Sequence, residues 1–503
     1  MALWHDMKGC FVLQRRFARI GHQIATLLTR EYGLTEACAY IQVRDNLDFL
    51  KSQTDVPYTA LLLDEDVHRE YVNETLDLEY LKKLENDIGD PVLWSFIGAD
   101  RVVRYGQLVR EYPYDTPLYS HEDMLRLTQV YGKRITAFLD AEKPDFAFML
   151  PAAGLGTLIL QALLRKRGIP TYLVMISGVD GATGISTRLE RLTGVDDIVR
   201  TGSIPSEYRE KARRFIKSFR TAPRSYSRLY DARHWQQTRA RQLAFLSPRG
   251  LRAAVHMVRR NFTEWFIHPE LRHDYTTVRP WHYYGDRIRR KMQNILGYSQ
   301  FYDSYEPGHA FFPLHLEPEL TLLVQAQFAL NQREIIRQIA QSLPVGMRLY
   351  VKEHPQMVGF RPRWFYRELK KIPNVKLINP SMPGTSVIRD AAIVFTIAGG
   401  SGFEAILLQK PVITFGDVYY NALSPVAHSR VSDELPRVVQ TQLARTAFDE
   451  EELERYVAAI YMDCVPVDFA YLWVFDNDPA VIREKLQEYT ALLAHKVGLA
   501  RHD

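Results

Sequence analysis

Lysine, histidine and serine side chains gather beside glycines in one stretch of this 503-residue chain. Lys352-Glu353-His354-Pro355 follows the apolar run Leu349-Tyr350-Val351. Gly399-Gly400-Ser401-Gly402-Phe403-Glu404 follows the run from Ala392 to Ile397. Together they suit an anionic ligand. Lys352 supplies charge, His354 and Ser401 supply donors, and the glycines let backbone N–H groups approach closely, because no Cβ blocks them. Phe403 to Gln409 reads as a helix, and a helix N-terminus carries unpaired N–H groups and partial positive charge. Glu404, in its first turn, would accept bonds from sugar or ribose hydroxyls, or cap the helix. These donors together suit a phosphate or carboxylate, although the glycines fit neither the G-x-G-x-x-G fingerprint nor a Walker loop.

Other positions could act beside them. His315, Glu317 and Glu319 follow a short strand, Phe311 to Leu314. His315 would bond a phosphate or a second substrate. Glu317 and Glu319 would serve as acid/base groups or hydroxyl acceptors, although Pro318 and Glu319 also suit a helix start. Asp64 and Glu65 follow the strand Tyr58 to Leu63, where a carboxylate could deprotonate a substrate hydroxyl or merely begin a helix. Gly154 and Gly156 open a helix after Asp145 to Leu150 and could meet an anionic group, or pack closely. From Ser206 to Lys291 there are 21 Lys and Arg, Arg259 and Arg260 among them, against 7 Asp and Glu. That balance of +14, in a chain carrying +5, leaves −9 elsewhere. Aromatics interleave with the arginines, among them Tyr226, Tyr230, Trp235, Phe262, Trp265 and Trp281. Such a segment suits an anionic glycan, a lipid-linked substrate or a membrane surface. No nucleic-acid motif accompanies the charge, so nucleic acid is not the expected partner.

The elements that must position these residues alternate. Gly9 to Leu13, Ala37 to Ile41, Tyr58 to Leu63, Asp145 to Leu150 and Thr171 to Ile176 read as strands. Arg15 to Tyr32, His121 to Ala141 and the run up to Arg167 read as helices. Short β-branched strands alternating with helices imply βαβ units and parallel sheets buried on both faces. In such sheets ligands bind at the carboxyl ends of the strands. Ser206 to Lys291 reads as a largely helical insertion, including Gly250 to Trp265. Asp449 to Ala458 and Pro479 to Lys496 read as further helices. Cys10, Cys38 and Cys464 are odd in number and far apart, which argues against disulfides and zinc. No secretory signal or membrane span is visible, so a cytoplasmic place is expected.

In their order, Phe312 to Glu319, Leu343 to Pro355, Ile397 to Ala405 and Lys410 to Gly416 resemble the capsule polysaccharide biosynthesis family, relatives of the capsular Kdo transferases. The resemblance is best over roughly 305–425. It implies a GT-B glycosyltransferase, with two Rossmann-like domains facing a central cleft. The expected division is 1–205 for an acceptor domain, 206–300 for the insertion, 301–465 for a donor domain and 466–503 for helices crossing back. His354-Pro355 also resembles the His-Pro motif of bacterial sialyltransferases, whose histidine contacts the phosphate of a CMP-sugar. The resemblance therefore implies a nucleotide-sugar donor held by His315, Lys352, His354, Gly399, Gly400, Ser401, Gly402 and Glu404. A glycan or lipid-linked acceptor would lie near Gly154, Gly156, Arg259 and Arg260. Asp64, Glu65 or Glu317 would serve as acid/base. No metal or other cofactor is expected, and work at the cytoplasmic face of the inner membrane is. A nucleotide-sugar epimerase or hydrolase, or a non-catalytic assembly or export partner, would fit the same residues.

Overall fold

A computed structural model of the chain describes residues 6–89, 93–105, 119–151, 153–225, 247–269, 272, 275, 279–429, 433–469, 471–472 and 479–501. Tyr226, Tyr230 and Trp235 of the basic segment lie outside the described residues.

The first sheet is built from β1 (Lys8–Leu13), β2 (Glu36–Ile41), β3 (Tyr58–Leu63), β4 (Phe146–Met149), β5 (Thr171–Ile176) and β6 (Thr183–Ser186). The second contains β7 (His309–Pro313), β8 (Leu349–Lys352), β9 (Val375–Ile378), β10 (Ala391–Thr396), β11 (Val412–Thr414) and β12 (Val426–His428). A last short strand, β13 (Cys464–Val465), returns to the first sheet. The strand orders are β13-β6-β5-β4-β1-β2-β3 and β12-β11-β10-β7-β8-β9. All pairings in the second sheet are parallel. In the first, the expected parallel pairing holds among β1 to β5, while β5–β6 and β6–β13, an edge the sequence did not reveal, are antiparallel. Strands of two and four residues carry too little periodicity to be read from sequence.

Continuous apolar strands explain the burial. β4 and β8 are buried at every position, and β1 and β2 at all but their first. Helices therefore cover both faces. Phe17–Tyr32 and Pro479–Val497 lie on one face of the first sheet, packing Phe17, Ile24, Leu28, Leu486, Tyr489 and Leu493 into one core. His121–Glu142 and Leu155–Lys166 cover the other. Cys10 and Cys38 sit opposite each other on β1 and β2, buried and unbridged.

The two sheets meet through their carboxyl ends, the GT-B architecture. One core runs through both domains and holds Leu155, Val179 and Phe215 of the first with Ala398, Phe403 and Tyr420 of the second. Tyr419 donates to the Ser177 carbonyl at 2.7 Å. Gly178, at φ 78°, lies so close that a Cβ would sit 3.0 Å from Phe403. Helix Glu450–Asp463 also packs on the first domain, with Arg455 donating to the Val199 carbonyl at 3.0 Å and Arg213 pairing with Glu454 at 2.6 Å.

Candidate functional site

In each sheet the strand order reverses beside its first strand, between β7 and β10 and between β1 and β4. These switch points open crevices at the carboxyl edge. In the second domain β10, β7 and β8 are neighbours, so the residues after them converge.

His315, after β7, is buried and serves as a brace. Its N–H donates to Gln332 Oε1 at 2.8 Å, and its carbonyl accepts from Arg361 Nη2 at 2.6 Å. Its Nε2 lies 3.2 Å from Thr396 Oγ1, just before the glycine turn. Burial, with Arg361 adding to it, pushes its pKa down to about 3, so the ring is neutral. A Cβ at Gly399 would come within 2.9 Å of that Nε2. Gly399 is glycine because His315 needs the space. Gly402 is confined likewise, since a Cβ there would lie 2.7 Å from the Tyr420 ring. Gly400 has φ −59° and ψ −21°, angles open to any residue. The expected glycine cradle is thus largely packing, and only at Gly400 does a ligand remain a reason for the residue. His315 knits β7 to β10.

Glu317 is also corrected. Its Oε2 pairs with Arg361 Nη2 at 3.3 Å, and its Oε1 accepts from Gln332. Arg361 has no solvent exposure, pairs with Glu353 as well, and lies 5.1 Å over the Phe365 ring. Glu353 accepts from Tyr366 at 2.6 Å and from the His354 N–H at 2.7 Å. This Arg361 hub props the crevice. Sequence reading missed it, because nothing near Arg361 signals burial.

Lys352, His354, Glu404, Ser401 and Glu319 then remain at the crevice. Lys352 is buried, and burial lowers its pKa to about 8 against the pull of Glu353 and Glu404. It makes no ion pair with any described residue. Glu404 is reached by solvent yet crowded by protein, and burial raises its pKa to about 8, opposed by Lys352. Burial, then the neighbouring Lys352, His315 and Arg361, pushes His354 down to about 3. Its Nδ1 accepts from the Gln356 N–H at 3.3 Å, which leaves the proton on Nε2. At pH 7 those shifts favour a cationic lysine beside a neutral histidine and a protonated Glu404. Ser401 is the first residue of helix Ser401–Leu407 and partly exposed. Glu319, just before helix Leu320–Leu323, is raised by burial to about 7, opposed by its bond to Thr321. A carboxyl titrating near neutrality suits acid/base work better than Glu317 does.

The first domain overturns more expectations. Asp64 is buried and bonded by three tyrosines: Tyr40, Tyr131 at 3.0 Å and Tyr275 at 2.6 Å. Burial raises it to about 6 against those bonds. Glu65 accepts from the Arg44 N–H at 2.8 Å and from Arg69 at 3.0 Å. Both carboxylates are thus already engaged by protein partners. Gly156 is a packing glycine, since a Cβ would lie 2.8 Å from Tyr131 and 2.9 Å from Asp64. After Gly154 the first N–H of the helix is already taken, because Asp100 accepts from Leu155. Arg259 and Arg260 stand on the exposed helix Pro248–Ile267, and Arg260 pairs with Glu264 at 2.9 Å. Arg15, two residues past β1, is a non-glycine residue at φ 41°. A cavity of about 370 Å³ beside Gly178 is lined by Asp180, Arg224, Tyr471 and Lys485, and no donor-site residue borders it.

Two α/β domains meeting at their carboxyl edges define the class. Within it, residues 313–427, the stretch holding this crevice, match the family described as capsule polysaccharide biosynthesis protein. The chain is 31% identical over 122 residues to Protein FixF of Sinorhizobium fredii (strain NBRC 101917 / NGR234), covering 23% of this chain and 28% of that protein. It is 30% identical over 118 residues to the capsule polysaccharide modification protein LipA of Neisseria meningitidis serogroup B (strain ATCC BAA-335 / MC58), covering 23% of this chain and 15% of that protein. The match thus spans less than a third of either relative. Among solved structures it is similar to Thermosulfurimonas dismutans KpsC, beta Kdo 2,4 transferase, at 13% identity and TM-score 0.36, over 63% of this chain and 80% of that one. It is also similar to UDP-GlcNAc 2-epimerase from Neisseria meningitidis, at 13% identity and TM-score 0.28, over 91% of this chain and 98% of that one.

Proposed function

We propose that the chain is a glycosyltransferase of surface polysaccharide assembly, taking a sugar from a nucleotide-activated donor to a glycan or lipid-linked acceptor. The carrying observation is Lys352: a buried cation with no ion pair among the described residues, at the switch-point crevice, inside the family-matched segment. A departing nucleotide phosphate would supply the missing charge. Lys352 would meet that charge as it develops, with Nε2–H of His354 and the Ser401 hydroxyl donating to phosphate oxygens. Protonated Glu404 would donate to, or accept from, ribose or sugar hydroxyls. Of the acid/base candidates Asp64, Glu65, Glu317 and Glu319, Glu319 takes the role. The reading asks for no further cofactor.

The test is a thermal-shift screen with CMP, UDP, GDP and their sugars, followed by a transfer assay. Binding of one nucleotide that Lys352→Met weakens supports the reading. A donor-only incubation separates the other enzymes: conversion of the sugar nucleotide without an acceptor would identify an epimerase or hydrolase. Absence of any nucleotide binding would leave a non-catalytic role.

A further inference from the structure

Helices Pro248–Ile267 and Pro280–Leu296 form a hairpin whose outer face nothing in the described chain covers. Eighteen large apolar side chains are exposed among the described residues, and twelve of them lie on these two helices, so the exposure is concentrated rather than scattered. Leu251, Val255, Val258, Phe262 and Phe266 recur at helical spacing along the first helix. Trp281, Ile288, Met292 and Ile295 do so along the second. From Leu251 to Arg260 every residue is exposed. A helix standing clear of the body with an apolar stripe is marginal in water and needs a second phase to bury it.

The opposite sides are anchored. Asn261 donates to Tyr284 at 3.1 Å between the helices, and Trp265 meets Trp281 edge to face at 5.1 Å. Arg290 lies 4.0 Å over Phe360 of the second domain, where Asp286 and Gln293 are buried. Tyr275, in the connection, donates to Asp64 and to the Gln42 carbonyl of the first domain. The hairpin therefore touches both domains and turns its stripes outward.

Its charge selects the occupant. The two helices carry eight Arg and Lys against two acids, and Glu264 and Asp286 are each paired with an arginine. A second copy would bring like charge against like. A bilayer of anionic lipid supplies both acyl chains for the stripes and phosphates for the rim, and the Trp and Tyr residues suit the level between them. No helix of the described residues is long and apolar enough to cross a membrane. We propose that this hairpin lies in the plane of an anionic bilayer, with Val255, Phe262, Ile288 and Ile295 inserted. The inference does not depend on the reaction proposed above.

The full chain is floated with vesicles of phosphatidylglycerol and phosphatidylcholine, and with phosphatidylcholine alone. Flotation at least about tenfold stronger with the anionic vesicles, and weakening with salt, is expected. The fourfold variant Val255→Ser, Phe262→Ser, Ile288→Ser and Ile295→Ser should lose about tenfold or more while keeping the parent's circular dichroism and melting temperature. Arg249→Gln, Arg252→Gln and Arg259→Gln together should flatten the salt dependence. If the serine variant does not fold, lipids brominated on their acyl chains report on the parent. They should quench its tryptophan fluorescence, and less so in Trp281→Phe. Three results would overturn the proposal: a parent that ignores anionic vesicles, a folded serine variant that floats like the parent, or no quenching. A lipid-free dimer of the parent that the serine variant dissolves would overturn it too, making the face an interface between copies.

Discussion

Lys352 and Glu404 titrate in the same range, and both titrations change anion binding in one direction. As pH rises through about 8, Lys352 loses its positive charge and Glu404 gains a negative one. Nucleotide affinity should therefore hold from pH 6 to 7.5 and fall steadily to pH 9, as read by calorimetric titration. Flat affinity across that range would mean that neither group meets the phosphate. Lys352→Met should cost about 1.5–3 kcal/mol of nucleotide binding, roughly 10- to 100-fold, with the fold intact. Arg361 contrasts with them. It is wholly buried between Glu353 and Glu317, and removing one partner strands buried charge. Arg361→Ala should lose about 3–5 kcal/mol of stability in denaturant unfolding. A loss below about 1 kcal/mol would show that the hub does not hold the crevice. Lys352, His354, Ser401 and Glu404 could be singled out from the chain, because Lys352 ends β8, His354 follows within two residues, and Ser401 and Glu404 open the helix after β10. Arg361 could not, since its loop resembles any exposed one until Glu353, Glu317 and Phe365 close around it.

At the scale of elements, the glycine turn separates packing from binding. Gly402→Ala should cost about 1–3 kcal/mol, because the new methyl meets the Tyr420 ring. Gly400→Ala, whose backbone angles suit alanine, should melt like the parent. Equal melting temperatures for parent and Gly402→Ala would refute the packing account. Strand ends at Tyr58–Leu63 and Thr171–Ile176 agree with the sequence reading to the residue. Continuous apolar runs bounded by polar residues mark such strands sharply. The antiparallel edge of β6 and β13 left no comparable trace. β13 is two residues long and pairs with a strand nearly three hundred positions earlier.

At the scale of the molecule, one core passes through both domains where Phe403, Tyr419 and Tyr420 meet Gly178 and Ser177. The domains should accordingly unfold together, in a single calorimetric transition. Phe403→Ala with Tyr419→Ala should divide it into two. A parent that already shows two transitions would contradict this continuity.

The chain by itself determined two α/β units, the strand ends that border the crevice, and the basic segment, because these follow from periodicity and from local composition. Which carboxylates are free was decided only in three dimensions. Asp64 is bound by tyrosines from positions 40, 131 and 275, Glu317 by Arg361, and the helix after Gly154 by Asp100. Whether a charged group meets solvent or a partner depends on distant segments brought together by folding, and spacing along the chain holds no record of that.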